Sequence, residues 1–127
     1  MDILQNFIDG CYQDPINKNY LDNIEPATGL VYGKIPNSCL EDVELAVTAA
    51  EKALPHWQGK PLEQRADILY AIAQGIESQL DELALAESID NGKPIGLAKS
   101  VDIPRAASNF KFFAHACSQF ASESHSM

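Results

Sequence analysis

Between residues 38 and 120 the apolar side chains recur every three or four positions, and that period calls for amphipathic helices. The constraint is severe, because each such helix carries an apolar stripe that must be buried against a second surface. Leu40, Val43, Ala46, Val47, Ala50, Leu54 and Trp57 share one face. Ser38-Cys39-Leu40-Glu41 offers a capping box, with Ser38 as the N-cap and Glu41 reaching back. The first helix is expected over 39–54, with Pro55 ending or kinking it and Trp57 in the exit turn. Pro61 suits the first position of a second helix. Leu62, Arg65, Ala66, Leu69, Ile72, Ala73, Ile76 and Leu80 continue one face. Gly75 weakens that helix, and Ser78 with Asp81 could cap a new one. The spacing therefore predicts helices over 62–77 and 79–89, the second turning Leu83, Ala84 and Ala86 inward. Asn91-Gly92-Lys93-Pro94 is a stop, with Gly at the position after the helix and Pro beyond it. The last helical stretch spans 94–120, begun or kinked at Pro104. Its stripe is Ala107, Phe110, Phe113, Ala114, Cys117 and Phe120. Residues 121–127 have no cap and no apolar anchor and are expected to be loose.

Residues 1–36 read as strands and turns. Phe7-Ile8 and Cys11-Tyr12 flank Asp9-Gly10, a tight-turn dipeptide that tolerates positive φ. Tyr20 to Ile24 alternates, Glu25-Pro26-Ala27-Thr28-Gly29 turns, and Leu30 to Ile35 forms a further strand stopped by Pro36. An antiparallel ribbon of three or four short strands is expected, which is marginal unless it packs on something else. A ribbon followed by four amphipathic helices has no proper sheet for the helices to cover. The residues thus point to an incomplete domain or an obligate oligomer.

The net charge of −9 argues against non-specific nucleic-acid binding and against an anionic membrane surface. Acids outnumber bases seven to one over residues 61–90, most simply a solvated helix face. No apolar run is long enough to span a bilayer, and the N-terminus has no signal-peptide pattern, so a cytoplasmic location is expected. Cys11, Cys39 and Cys117 are too widely and irregularly spaced for a disulfide framework or a zinc site. Cys117 has His115 nearby, but residues two apart on a helix point in different directions, and Cys117 falls on the apolar stripe. Cys39 lies beside a helix N-terminus, which can lower a thiol pKa, although a plain boundary residue is the simpler reading. His56, His115 and His125 are too scattered for a metal triad. Glu77, Asp81 and Glu82 cluster, as do Glu41, Asp42 and Glu44, with nothing to suggest the burial that acid–base work needs. Neither GxGxxG nor GxxxxGK[ST] is present, so no phosphate cradle is visible. From the residues alone no catalytic, cofactor-binding or metal site emerges.

Several short motifs in order nevertheless carry a resemblance. They are Asn6-Phe7-Ile8-Asp9-Gly10, Glu25-Pro26-Ala27-Thr28-Gly29, Val43 to Ala53 followed by Trp57, Arg65 to Leu69, Glu87 to Pro94, and Asn109 to Ala114. Together the sequence resembles the N-terminal part of an NAD(P)-dependent aldehyde dehydrogenase over residues 5–116. Asp102-Ile103-Pro104-Arg105 most resembles the 2-aminomuconic/hydroxymuconic semialdehyde dehydrogenase branch. The resemblance implies an α/β fold, with residues 1–127 a partial segment of a Rossmann-like coenzyme-binding domain: strands and turns over 1–36, helices over 38–120, a loose tail over 121–127. It implies an oxidoreductase that is oligomeric when complete and turns an aldehyde into a carboxylic acid with NAD or NADP. The base, the nucleophilic cysteine and the nucleotide contacts would come after residue 127, so no activity and no cofactor binding are expected of residues 1–127 alone. The expected partners are the remainder of the dehydrogenase fold or full-length subunits, with the chain acting in the second case as a non-catalytic interaction module. The resemblance also implies a monovalent-cation site using the Ile24 carbonyl and Asp102; Asp102 suits a helix N-cap ahead of Pro104 equally well. Glu25 stands where the family usually has Asn, which should leave the turn in place.

Overall fold

A computed structural model of the chain describes residues 2–119. Phe120, the tail over 121–127 and His125 lie outside the described residues. The chain forms two compact units, one built from residues up to Gly59 together with Ile89–Gly92, the other from Lys60–Ser88 and from Lys93 onward.

In the first unit, β2 (Asn6–Ile8) and β3 (Cys11–Gln13) form the expected hairpin, with Asn6 opposite Gln13 and Ile8 opposite Cys11. Asp9 and Gly10 both have positive φ, 51° and 78°, as a two-residue turn matched to strand twist requires. The ribbon is not continuous. β4 (Tyr20–Glu25) and β5 (Leu30–Pro36) pair antiparallel in a separate sheet, and β1 (Asp2–Ile3) joins β5 in parallel. The expectation of one antiparallel ribbon is corrected accordingly: the loop at residues 14–19 carries the chain from one small sheet to the other. Simple alternation along β4 is also broken. A register shift between Asn23 and Ile24 turns Asn23 and Glu25 toward cover and leaves Ile24 half exposed, at 50%.

α1 runs Leu40–Gln58, past Pro55, so Trp57 lies in the helix and not in an exit turn. Pro55 removes one backbone bond only a turn from the end, and Gly59 N–H closes the helix on the Pro55 carbonyl at 3.0 Å. The cap is one residue later than expected. Cys39 is the N-cap residue, and Asp42, not Glu41, reaches back to its N–H at 2.9 Å. Ser38 instead donates its hydroxyl to Asn6 Oδ1.

In the second unit, α2 (Leu62–Ser78) breaks at Gln79, as the spacing predicts, and α3 (Leu80–Asn91) follows. Ser78 does not cap α3; its hydroxyl donates back to the Gly75 carbonyl at 2.8 Å. The last stretch is one continuous helical path: α4 (Ile95–Leu97), a π-helical turn over Ala98–Asp102, and α5 (Ile103–Gln119). The Ile103 N–H bonds the Ala98 carbonyl, five residues back, immediately before Pro104, which has no N–H to give. Asp102 lies inside this continuous helical path, so it is not an N-cap.

α2 and α5 pack along each other. The fully enclosed apolar residues on these helical segments are small: Ala73, Ala84, Ala98, Ala107 and Ala114. Of the α5 stripe, Ala107 and Ala114 are buried and Phe110 and Cys117 are partly covered, whereas Phe113 is 59% exposed beside Phe112 at 65%. The α1 stripe is open to solvent along its length, at Leu40, Val43, Val47 and Leu54. Among the described residues no helix is long and apolar enough to cross a membrane.

The stop after α3 is held sterically. Gly92 has φ +75°, and a Cβ there would meet Pro26 Cβ at 3.1 Å, whereas Gly29, with φ +69°, has nothing within 4 Å. Both would pay about 1–2 kcal/mol for a side chain in the left-handed region. Gly92→Ala is therefore expected to destabilise the chain by more than Gly29→Ala in parallel urea titrations. Equal costs would contradict the contact with Pro26.

Candidate functional site

The densest polar construction in the first unit centres on Asp42, only 4% exposed in the first turn of α1. One carboxylate oxygen accepts from the Ile16 N–H at 3.0 Å, and the other from the Cys39 N–H at 2.9 Å and the Cys39 thiol at 3.2 Å. Asp42 therefore joins the 14–19 loop to the start of α1. The loop is self-braced: Lys18 N–H bonds the Pro15 carbonyl, Asn19 N–H bonds Asn17 Oδ1, and Gln5 and Tyr20 both donate to Asp14 Oδ1 at 2.8 Å. Among the described residues Pro15 is the largest fully buried side chain. The backbone N–H of Cys39 holds the Asp42 carboxyl below the usual range.

The same cluster settles Cys39. The neighbouring carboxylates of Glu41 and Asp42 push its thiol up, so the helix N-terminus does not make a thiolate here. Cys11 is exposed in β3, and Cys117 is partly covered in α5. His115 accepts or donates at Nδ1 with the Lys111 carbonyl, 2.7 Å away, and lies edge-on to Tyr70. The acidic stretch is engaged in ion pairs. Glu77 pairs with Lys111 at 2.6 Å, and Asp81 pairs with Lys99 at 2.7 Å. Among the described residues no group of three acidic, histidine or cysteine side chains could hold a metal ion.

The two residues offered for a monovalent cation fall in different units. Ile24 lies in β4, opposite Val31. Asp102 gives its Oδ2 to Lys93 Nζ at 2.6 Å, and Lys93 also reaches Glu87 at 3.4 Å. Asp102 holds the Lys93 ammonium above its ordinary pKa. The oxygen that the resemblance offers to a cation is thus paired with the chain's own cation. Asp90, at the end of α3, accepts from Tyr32 OH at 2.7 Å and Asn23 Nδ2 at 3.0 Å, and these donors, Tyr32 first, hold its carboxyl below the usual range. Sequence reasoning named Asp42 only within an acidic cluster with nothing to suggest burial, which its 4% exposure corrects, and gave no side-chain role to Asp90 or Lys93. The signal for Asp42 was present: Cys39-x-x-Asp42 has the N-cap-to-third-residue spacing, one step after the Ser38–Glu41 pair.

Between β2 and α1 lies an open groove of about 280 Å³ lined by Asn6, Phe7, Ile8, Ser38, Val43 and Val47, with Ala46 and Asp42 at its base. Ser38 occupies Asn6 Oδ1, while Asn6 Nδ2 is enclosed without a partner among the described residues.

Residues 12–127 match the model of the aldehyde dehydrogenase family. The chain is 46% identical to the 2-aminomuconic semialdehyde dehydrogenase of Bos taurus over 121 residues, which is 95% of this chain and 24% of that protein. Among solved structures it superposes on gamma-glutamyl-gamma-aminobutyraldehyde dehydrogenase from Burkholderia cenocepacia with a TM-score of 0.92 at 35% identity, covering 94% of this chain and 25% of that one. It also superposes on PnpE in complex with nicotinamide adenine dinucleotide, with a TM-score of 0.90 at 32% identity, covering 92% and 24%. The chain therefore spans about a quarter of the length of the relatives it matches.

Asp42→Asn is expected to lower the melting temperature by several degrees at neutral pH. The wild-type carboxyl has a folded pKa below its unfolded value. Its contribution is therefore present above about pH 4 and lost as pH falls through the folded value. The gap between wild type and Asp42→Asn should shrink on acidification. A gap that stays constant down to about pH 2 would contradict the assignment.

Proposed function

The chain belongs to the aldehyde dehydrogenase family, and on that premise we propose that residues 1–127 form the N-terminal quarter of a cytoplasmic, oligomeric NAD(P)-dependent dehydrogenase. The enzyme takes an aldehyde, in class a muconic-type semialdehyde, to the carboxylic acid. The observation that carries the substrate class is the 46% identity, across 95% of the chain, with a 2-aminomuconic semialdehyde dehydrogenase. The family works with NAD(P), which accepts the hydride when bound. The family chemistry passes through a thiohemiacetal on a cysteine. None of the cysteines here suits that role. Cys39 is held as a thiol by two carboxylates, Cys11 is exposed in β3 and Cys117 is partly covered in α5.

What these residues contribute is scaffold. Asp42 fixes the 14–19 loop on α1, Asp90 fixes the end of α3 on the β4–β5 hairpin, and the alanine seam sets α2 against α5. The apolar faces left open on α1 and α5 are surfaces for the rest of the fold. The same open faces favour a second reading, in which the chain is a non-catalytic module that associates with full-length dehydrogenase subunits. The monovalent-cation role of Ile24 and Asp102 stays a proposal by resemblance, and Lys93 competes with it for the carboxylate.

The purified 127-residue chain is expected to form no NAD(P)H from 2-aminomuconic-type or simple aldehydes. Co-production with the complementary portion of the bovine relative is expected to give turnover. NAD(P)H formation by the chain alone would overturn the scaffold reading. Capture of the intact bovine enzyme, with no turnover on complementation, would favour the module.

A further inference from the structure

We propose that Asn91 is a site of deamidation, with the Gly92 backbone nitrogen as the attacking group, and that the contacts flanking it in the first unit set its rate. The inference goes beyond the dehydrogenase reading and does not depend on it.

The chemistry begins in the sequence. Asn91-Gly92 is the one Asn-Gly step among seven asparagines. Ring closure brings the following backbone nitrogen onto the side-chain amide carbon, and glycine has no Cβ to block that approach. The Gly92 nitrogen gives up its proton to solvent and bonds to Asn91 Cγ. The bond from Cγ to the amide nitrogen breaks, and ammonia leaves. Water then opens the cyclic imide. Opening at Cγ leaves aspartate. Opening at the main-chain carbonyl carbon leaves isoaspartate, whose backbone runs through Cβ and Cγ. Water is the only co-reactant, and Asn91 is exposed to it.

The structure supplies the gate. Asn91 is the last residue of α3, and the Asn91–Gly92 peptide plane must turn out of its helical setting before the ring can close. Both neighbours resist that turn. On one side Asp90 accepts from Tyr32 OH at 2.7 Å and from Asn23 Nδ2 at 3.0 Å, and Asn23 Nδ2 also donates to Tyr32 OH at 2.7 Å. On the other side Gly92, at φ +75°, lies so near Pro26 that a Cβ would meet it at 3.1 Å. The plane is held at both ends and turns when this corner opens. Local opening and closing are fast beside a reaction that runs over days, so the rate follows the fraction of chains that are open.

The product works against closure. A neutral amide becomes a carboxylate at the C-terminal end of a helix, where the dipole disfavours an anion, and it stands next to Asp90. Isoaspartate also lengthens the main chain by one carbon between Asp90 and Gly92, so both anchors no longer fit together. Deamidation thereby marks the chains whose corner has opened and keeps that corner open.

The test incubates the 127-residue chain at mildly alkaline pH, native and in urea, and maps peptides by the mass gained when OH replaces NH2. Isoaspartate is counted by methyl transfer from S-adenosylmethionine with an isoaspartyl carboxyl methyltransferase. In urea Asn91 is expected to convert ahead of every other asparagine, to a mixture of aspartate and isoaspartate. In the native chain it should convert at least about tenfold more slowly, as two anchors of ordinary strength require. Tyr32→Phe should speed native conversion about three- to tenfold, the range for one hydrogen bond, without speeding Asn37, the internal reference for general unfolding. If Tyr32→Phe does not give a cooperative melt, Asn23→Ala replaces it. Another asparagine converting first in urea overturns the site. Equal rates at Asn91 in the native and urea-held chains, or a folded corner variant with an unchanged ratio of Asn91 to Asn37 conversion, overturns the gate.

Discussion

An apolar helix face is stable only when a second surface excludes water from it, and in this chain that second surface is mostly absent. The helices close on alanines at positions 73, 84, 98, 107 and 114, which brings backbones together but buries little area. The large side chains stay outside: Leu40, Val43 and Val47 on α1, Phe112 and Phe113 on α5. Roughly half to two thirds of the about 1.5–3 kcal/mol that full burial of such a side chain is worth stays ungained at each. That ungained burial explains why the chain carries helices of ordinary length and period yet encloses so few large residues.

Polar contacts position what apolar burial does not. Asp42 is the clearest case, since a single carboxylate fixes a loop and a helix start that are 26 residues apart in sequence. Asp90 does the same between β4–β5 and the end of α3, and Gly92 against Pro26 completes that corner. The acidic character of residues 61–90 divides similarly. Glu77, Asp81 and Glu87 are paired with lysines and Asp90 takes two hydrogen bonds, while Glu63, Asp67 and Glu82 are exposed, as on a charged helix face.

Much of the fold was legible from spacing. The 3.6 period located α1, α2, α3 and α5, the Asp9-Gly10 dipeptide located the hairpin, and Gly92 located the end of α3. The errors have separate causes. Pro55 was too near the helix end to stop it. The strand break at Asn23/Ile24 is a bulge, which period-two reasoning does not see. The parallel pairing of β1 with β5 depends on a contact 31 residues away in sequence. Phe113 carries the correct period for a buried stripe, but period reports which face is apolar and not whether anything covers it. The family was readable from ordered short motifs. The groove was not, because it depends on which edge of β2 is left unpaired and on one amide nitrogen of Asn6.

The central claim is that these apolar faces await a covering surface, and the slope of urea unfolding of the 127-residue chain tests it directly, because that slope scales with the area buried on folding. The account predicts a shallow slope, below about 1 kcal/mol/M, that steepens when the complementary portion of the bovine relative is bound. A steep, cooperative transition in the isolated chain, unchanged by that portion, would contradict it.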